Sequence, residues 1–203
     1  VNRVTVAIVD YGLGNHASIK HALQDAGMRV RIGADAETLD ACDVLLLPGV
    51  GAFPAAMQRL QSTGLDKYLR HAAFSGRALL GICLGMQLLV EESLEFGHSV
   101  GLGILPGKAV ALHAPAWHIG WNNLHGTGND PAVQSFHGEQ VYFNHSYALQ
   151  CEAAYVTAVA MLGQPIVAAI RREKIVGLQF HPEKSQSVGH QMLSSLITEL
   201  AHA

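Results

Sequence analysis

Cys83 lies in the run Arg77-Ala78-Leu79-Leu80-Gly81-Ile82-Cys83-Leu84-Gly85-Met86-Gln87, an apolar segment that ends in Gly-x-Cys-x-Gly. The pattern reads as a nucleophile elbow: a buried strand, a sharp turn that pushes one side chain outward, then a helix whose N-terminal amides face that side chain. Gly81 and Gly85 let the backbone turn where a β-carbon would collide. The positive end of the following helix favours negative charge on the sulfur, the form that attacks electrophiles. An isolated Gly-x-Cys-x-Gly is equally compatible with a buried cysteine in a tight turn, so the weight falls on what accompanies it.

A second group, Val176-Gly177-Leu178-Gln179-Phe180-His181-Pro182-Glu183-Lys184-Ser185, supplies the accompaniment. Ile175 to Phe180 has the length of a strand, and Pro182 forbids its continuation in a central sheet. His181 and Glu183 therefore fall on the loop just past the strand end, where open α/β sheets place their chemistry. A cysteine nucleophile needs a base within hydrogen-bond reach, and that base needs an acceptor to fix its tautomer. His181 and Glu183 suit those two roles. Pro48-Gly49-Val50-Gly51 follows another strand end, and its glycines permit close backbone approach. An oxyanion hole is expected from an amide of Val50 or Gly51 together with that of Leu84.

These loops need elements to hold them. Val4 to Asp10 reads as a buried strand, Ala17 to Asp25 as a helix ended by Gly27, and Met28 to Ile32 as a second strand. Val44 to Leu47 is a third strand, stopped by Pro48-Gly49. Pro54 to Leu60 and Asp66 to Phe74 read as helices, with Asp66 as a cap, and Ala78 to Ile82 is the strand that feeds the elbow. Alternating strands and helices imply a parallel, mostly buried sheet. After the glycine-rich stretch 97–107 the pattern changes to short strands: Ala109 to His113, Val141 to Leu149, Tyr155 to Ala160, Ile166 to Ile170 and Ile175 to Phe180. Val188 to Leu200 follows as an amphipathic helix. Gly126 to Pro131 reads as an exposed loop without the flanks of a domain boundary.

The 203 residues suit one domain, 1–203, with a substantial core. A net charge of −3 with dispersed Lys and Arg argues against a nucleic-acid binder. No apolar run approaches the ~20 residues of a membrane helix. The chain opens directly on a strand with no charged-then-apolar signal segment, so a cytoplasmic location is expected. Cys42, Cys83 and Cys151 lack Cys-x-x-Cys spacing, and the 12 histidines are scattered without helical His-x-x-x-His pairing. No metal and no cofactor are expected. Cys42 and Cys151 read as core or boundary residues.

Several further blocks accompany the elbow: Asp10-Tyr11-Gly12-Leu13-Gly14-Asn15, Pro48-Gly49-Val50-Gly51-Ala52-Phe53, Gly101-Leu102-Gly103-Ile104-Leu105-Pro106-Gly107, His118-Ile119-Gly120-Trp121-Asn122, His145-Ser146-Tyr147 and His181 to Ser185. With them the chain resembles the class I, triad-type glutamine amidotransferases, and among these the glutaminase subunits of imidazole glycerol phosphate synthases. The blocks run in family order over nearly the whole chain. The resemblance implies a flavodoxin-like α/β fold: an open, largely parallel sheet with flanking helices and extra β-strands in the C-terminal half. It implies hydrolysis of glutamine to glutamate and ammonia by Cys83, His181 and Glu183, with Gly49, Gln87, Glu95, His145 and Ser146 holding the substrate.

The resemblance also implies a heterodimer with a cyclase subunit built as a (β/α)8 barrel. That partner uses the ammonia to form imidazole glycerol phosphate and an aminoimidazole carboxamide ribotide (AICAR) in histidine biosynthesis. Asn15, Trp121, Tyr142 and Lys184 match family positions at the interface, and the family's Pro-Gly-Val-Gly loop changes peptide orientation when partner and ligand bind. The chain departs from the family in two places. Ala116-Trp117-His118 replaces a usual Pro-His, which leaves the detail of the partner-facing hairpin open, and Ser93-Leu94-Glu95 replaces Ser-Glu-Glu while keeping Glu95. Two alternatives stand beside this reading: a paralogous amidotransferase subunit feeding another synthase, such as one for sugar amination, and a non-catalytic regulatory subunit.

Overall fold

The computed structural model describes residues 3–113, 115–128 and 130–203. Strand β1 (Thr5–Val9) is followed by α1 (His16–Asp25), β2 (Arg29–Gly33), α2 (Ala36–Asp40), β3 (Val44–Leu47), α3 (Phe53–Thr63), α4 (Leu65–Phe74), β4 (Ala78–Ile82) and the short α5 (Leu84–Leu88). Then come β5 (Glu92–Ser93), β6 (Ser99–Val100), β7 (Lys108–Ala111), β8 (His118–Asn123), β9 (His125–Gly126), α6 (Pro131–Gln134), β10 (Gln140–His145) and β11 (Tyr147–Gln150). Strands β12 (Val156–Leu162), β13 (Gln164–Arg172) and β14 (Ile175–Leu178) lead to a 3-10 turn at Pro182–Lys184 and to α7 (Gln186–His202).

The main sheet runs β2-β1-β3-β4-β14-β13-β12-β9. The pairs from β2 to β14 are parallel, and those from β14 through β13 and β12 to β9 are antiparallel. This is the largely parallel α/β sheet with added strands in the later half that the sequence leads one to expect. Strand alternation sends successive side chains to opposite faces. Val6 and Ile8 of β1 pack with Ile19, Leu23, Leu193 and Ile197 of α1 and α7. Ala7 and Val9 pack with Phe53, Leu60, Leu69 and Met86 of α3, α4 and α5. The sheet is thus buried on both faces, and its fully apolar parallel strands, such as Val44–Leu47, need no polar side.

For the chemistry, the decisive topological fact is that β4 lies between β3 and β14, with Leu47 level with Gly81 and Leu178 level with Ile82. The loops that leave all three strands therefore emerge side by side.

Three local expectations need correction, and two elements had none. Val141 to Leu149 is two strands, because the chain changes partners at Ser146: β10 pairs with β8, whereas β11 pairs with β7. The His145 ring donates to the Tyr147 carbonyl at 2.8 Å across that break. Asp66 is no cap. Gly64, at φ 75, serves as C-cap of α3 and N-cap of α4, a left-handed conformation suited to glycine, and Asp66 is buried in the first turn of α4. The expected loop 126–131 is shorter at both ends: Gly126 belongs to β9, and buried Asp130 caps α6 and pairs with Arg171 at 3.1 Å. Residue 129 lies outside the described residues. Finally, α2 and β8 were absent from the sequence reading. Helix α2 is marked by an Asp35 cap that accepts from Thr38 N at 2.8 Å.

Candidate active site

Strand β4 ends at Ile82, and the next residue, Cys83, has φ 54 and ψ −112, a conformation that costs a residue with a β-carbon. It is tied at both ends. Its N–H donates to Leu178 O at 2.7 Å and its carbonyl accepts from Gln87 N at 3.2 Å. The glycines around it interlock. A β-carbon on Gly85 would lie 2.0 Å from Leu47 O, one on Gly81 would lie 2.7 Å from Gly85 O, and one on Gly49 would lie 2.6 Å from Gly85 N. The elbow is therefore pressed against the Pro48-Gly49 segment leaving β3.

Cys83 opens on a cavity of about 260 Å³ whose lining includes Val50, Gly51, Leu84, Gln87, Glu95, His145, Ser146 and His181, which the sequence suggests for the site, and Lys184, which it suggests for the partner interface. Gly49 is not part of that lining; it packs against Leu84 and Gly85 behind it. Asn144 and Tyr147 also line the cavity, and the sequence reading did not single them out for the site.

His181 stands just past β14, with its backbone N–H donating to Tyr142 O at 2.8 Å and its carbonyl accepting from the Ser185 hydroxyl at 2.7 Å. Its Nδ1 lies 2.8 Å from Glu183 Oε1, and both side chains are buried. A carboxylate only accepts, so Nδ1 carries the proton and Nε2 is the ring atom left for chemistry. Burial drives His181 toward its neutral form. Hydrogen bonding to Cys83 and Glu183 and their negative charge outweigh that, and the pKa is pushed up to about 9. Glu183 thus sits behind His181 and holds the ring from its Nδ1 side.

Glu95 Oε2 accepts the Phe53 N–H at 2.7 Å, which satisfies an open amide at the start of α3, where Ala52 offers no side-chain cap. Burial raises the pKa of Glu95, and the Phe53 bond offsets this in part. Gln87 Nε2 donates to Tyr147 O at 2.9 Å and to Gln179 Oε1 at 3.0 Å. Both ring nitrogens of His145 are engaged: Nδ1 with Tyr147 O, and Nε2 with His118 Nδ1 at 3.1 Å. Burial, reinforced by the neighbouring His118 and His181, pushes its pKa down to about 4, with the Tyr147 bond opposing only in part.

Outside the cavity, Asn15 caps α1 through a bond from Ser18 N at 3.3 Å. Trp121 and Tyr142, opposite each other on β8 and β10, meet edge to face at 5.9 Å, and Lys184 Nζ lies 5.9 Å from the Tyr142 ring centre. Trp117, Ile119 and Trp121 are exposed, the first two at 63%. Cys42 is buried with its thiol donating to Thr38 O at 3.4 Å, and Cys151 is half-buried.

Sequence reasoning missed Tyr11 and Gln179. Tyr11 is buried, its hydroxyl donates to Pro48 O at 2.8 Å, and burial followed by the Cys83 charge pushes its pKa up. Gln179 carried a usable signal, as a lone amide inside the apolar run Ile175 to Phe180.

Comparison with known proteins identifies the family of the chain. The glutamine amidotransferase class-I family matches residues 7–199. The imidazole glycerol phosphate synthase subunit HisH of Streptococcus sanguinis is 44% identical over 186 residues, 90% of each chain. HisH of Listeria monocytogenes is 42% identical over 192 residues, 93% of this chain and 92% of that one. Among solved structures, PurLQS from Thermotoga maritima superposes with a TM-score of 0.77 at 18% identity over 98% of this chain and all of that one. A glutamine amidotransferase gives 0.76 at 20% identity over 98% and 99%. The chain belongs to the class-I glutamine amidotransferase family and, within it, to the HisH subunits of imidazole glycerol phosphate synthase.

Proposed function

We propose that this chain hydrolyses glutamine to glutamate and ammonia as one glutaminase domain, and that the ammonia serves a cyclase partner in histidine biosynthesis. The observation that carries the reading is the meeting of Cys83 and the His181–Glu183 pair at one cavity, on loops leaving neighbouring strands β4 and β14. The Cys83 sulfur attacks the side-chain amide carbon of glutamine, and the carbonyl oxygen takes up negative charge facing the amides of Val50 or Gly51 and Leu84. Protonated His181 gives its Nε2 proton to the departing nitrogen, which leaves as ammonia from a glutamyl thioester. His181 then takes a proton from water, the hydroxide attacks the thioester, and glutamate departs with the sulfur restored. Glu183 holds the ring and its Nδ1 proton through both steps.

Glu95 is suited to the substrate ammonium, since one of its carboxylate oxygens is held by Phe53 N and the other remains for a ligand. Gln87, His145 and Ser146 complete the walls of the cavity. Exposed Trp117, Ile119 and Trp121, with Tyr142, Lys184 and Asn15, form the face assigned to a (β/α)8-barrel cyclase that releases imidazole glycerol phosphate and the aminoimidazole carboxamide ribotide. Among the described residues no helix is long and apolar enough to cross a membrane. We assign the heterodimer to the cytoplasm.

The test is a glutaminase assay of the chain alone, with the cyclase, and with cyclase plus its nucleotide ligand, together with mass-spectrometric mapping of a glutamine-analogue electrophile. One adduct, on Cys83, and turnover that rises with the partner are expected. Label on Cys42 or Cys151 with activity retained in Cys83→Ala refutes the assignment.

A further inference from the structure

Gln179 is fully buried between Leu178 and Phe180 in a run where a leucine would serve packing alone. A buried amide costs free energy unless its polar atoms are matched. Here the Gln179 oxygen accepts from Gln87 Nε2 at 3.0 Å, and its nitrogen points to Cys83 Sγ at 3.9 Å. We propose that Gln179 is a further residue of the catalytic site, directing an N–H at the Cys83 sulfur in an orientation fixed by Gln87 and the Tyr147 carbonyl. The inference rests on Cys83 being the nucleophile.

The orientation follows from hydrogen-bond chemistry. The Tyr147 carbonyl can only accept, so Gln87 must present its NH2 to it, at 2.9 Å. The second hydrogen of that NH2 then meets Gln179, which must answer with its oxygen. Turning either amide over would set oxygen against oxygen or NH2 against NH2. With its oxygen committed, Gln179 has its NH2 facing the sulfur. The position of the Tyr147 carbonyl is itself secured by the bond from His145 Nδ1 at 2.8 Å.

Besides the His181 ring, which is hydrogen-bonded to it, the sulfur contacts Asn144 O at 3.9 Å among the described residues. That carbonyl is an acceptor and favours the protonated thiol, whereas the Gln179 donor favours the charged sulfur. At 3.9 Å the Gln179 contact is long, and a bond to an ionised partner is shorter and stronger than one to a neutral partner. The donor therefore gains most when the sulfur carries charge, which is when it attacks and when the thioester finally breaks. His181, Glu95, His145, Tyr147 and Lys184 around the cavity, Glu183 behind His181 and Tyr11 beside the Pro48 segment are the other titratable groups on this side of the sulfur. Changing Gln179 leaves all of them in place.

The experiment follows iodoacetamide alkylation of Cys83 against pH, read on the Cys83 peptide by mass spectrometry, in the wild-type chain and in Gln179→Met, Gln179→Leu and Gln87→Leu. Both Gln179 variants are expected to move the half-maximal pH upward by about one unit, a tenfold loss of reactive sulfur below the midpoint. Gln87→Leu, which frees the Gln179 amide to turn, is expected to move it the same way by less. An unmoved midpoint in either Gln179 variant that keeps its fold by circular dichroism overturns the proposal. Iodoacetamide reads the sulfur without glutamine, so a chain that shifts as expected yet never hydrolyses glutamine would sink the proposed function and leave this inference standing.

Discussion

The Tyr11 hydroxyl donates to the Pro48 carbonyl at 2.8 Å, joining the end of the first strand to the peptide that enters Gly49-Val50-Gly51. The bond fixes one edge of a segment whose glycines otherwise leave it free to turn, and it does so from a fully packed ring. Tyr11→Phe keeps the packing and removes the donor. The buried Pro48 carbonyl then loses its partner, at a cost of about 1–3 kcal/mol. A complete oxyanion donor contributes on the order of 10² to 10³ in turnover, so loosening its support is expected to lower kcat about tenfold with KM little changed. Steady-state kinetics and urea unfolding of the variant check both parts; a loss of stability with kcat intact would confine Tyr11 to packing.

Glu183→Gln tests the orienting carboxylate through the pH profile. Burial pushes His181 down, and Cys83 and Glu183 hold it up, to about 9. Removing the carboxylate charge removes part of that support, so the basic limb of kcat/KM, where His181 loses its proton, is expected at lower pH than in the wild type. Turnover is expected to fall by about 10⁴ or less and to remain above that of Cys83→Ala. A basic limb that stays in place assigns the limb to another group.

His145 makes stability depend on acidity. Its pKa of about 4 in the folded chain lies below its ordinary 6.5, so the unfolded chain takes up a proton first as the pH falls. The stabilisation is whole above about 6.5 and is lost as the pH falls toward 4, a total of about 3 kcal/mol. Relative to His145→Gln, which cannot titrate, the wild type should therefore lose ground in urea unfolding between pH 7 and pH 4. Parallel curves for the two proteins would show that the ring does not stay neutral.

Gly49 tests the contact between loop and elbow. A β-carbon there would lie 2.6 Å from Gly85 N and 2.7 Å from Leu84 Cβ, and the backbone atom has little room to yield. Gly49→Ala is expected to cost about 1–3 kcal/mol and to reduce turnover by about 10². Gly27→Ala is the control. Gly27 has a φ of 85 and open space around it, so strain alone should appear, about 1 kcal/mol with activity retained. Equal activity losses at the two positions would detach the effect from the elbow.

The parallel core was readable because its signals are local and strong: Val44–Leu47 and Ala78–Ile82 are unbroken apolar runs closed by Pro48-Gly49 and by the Gly-x-Cys-x-Gly turn. The placement of Cys83, His181 and Glu183 is readable for the same reason, each near a strand end that its neighbours define. The later strands were harder. Ser146 divides one stretch between two sheets, and that division depends on partners 17 to 42 residues upstream, Asn123 opposite Gln140 and Lys108 opposite Gln150 at the extremes. Tyr11 and Gln179 were missed because their meaning lies wholly in their partners: a carbonyl 37 residues away for one, and for the other a sulfur 96 residues away. The lone amide in the apolar run 175–180 marks Gln179 as unusual, but nothing along the chain names the partner of either residue.

Cys83 keeps its side chain at a φ of 54, where a residue with a β-carbon bears a penalty of about 1–3 kcal/mol. Glycine bears almost none. A Cys83→Gly chain should therefore be catalytically dead and yet melt at a higher temperature than the wild type, provided the small volume lost at the cavity wall costs less than the strain released. Measured by calorimetry, that difference in melting temperature would express in degrees what selection for chemistry withholds from this fold. It would also predict how a lineage released from glutamine hydrolysis drifts: toward glycine at this position, gaining heat tolerance as the reaction is forgotten.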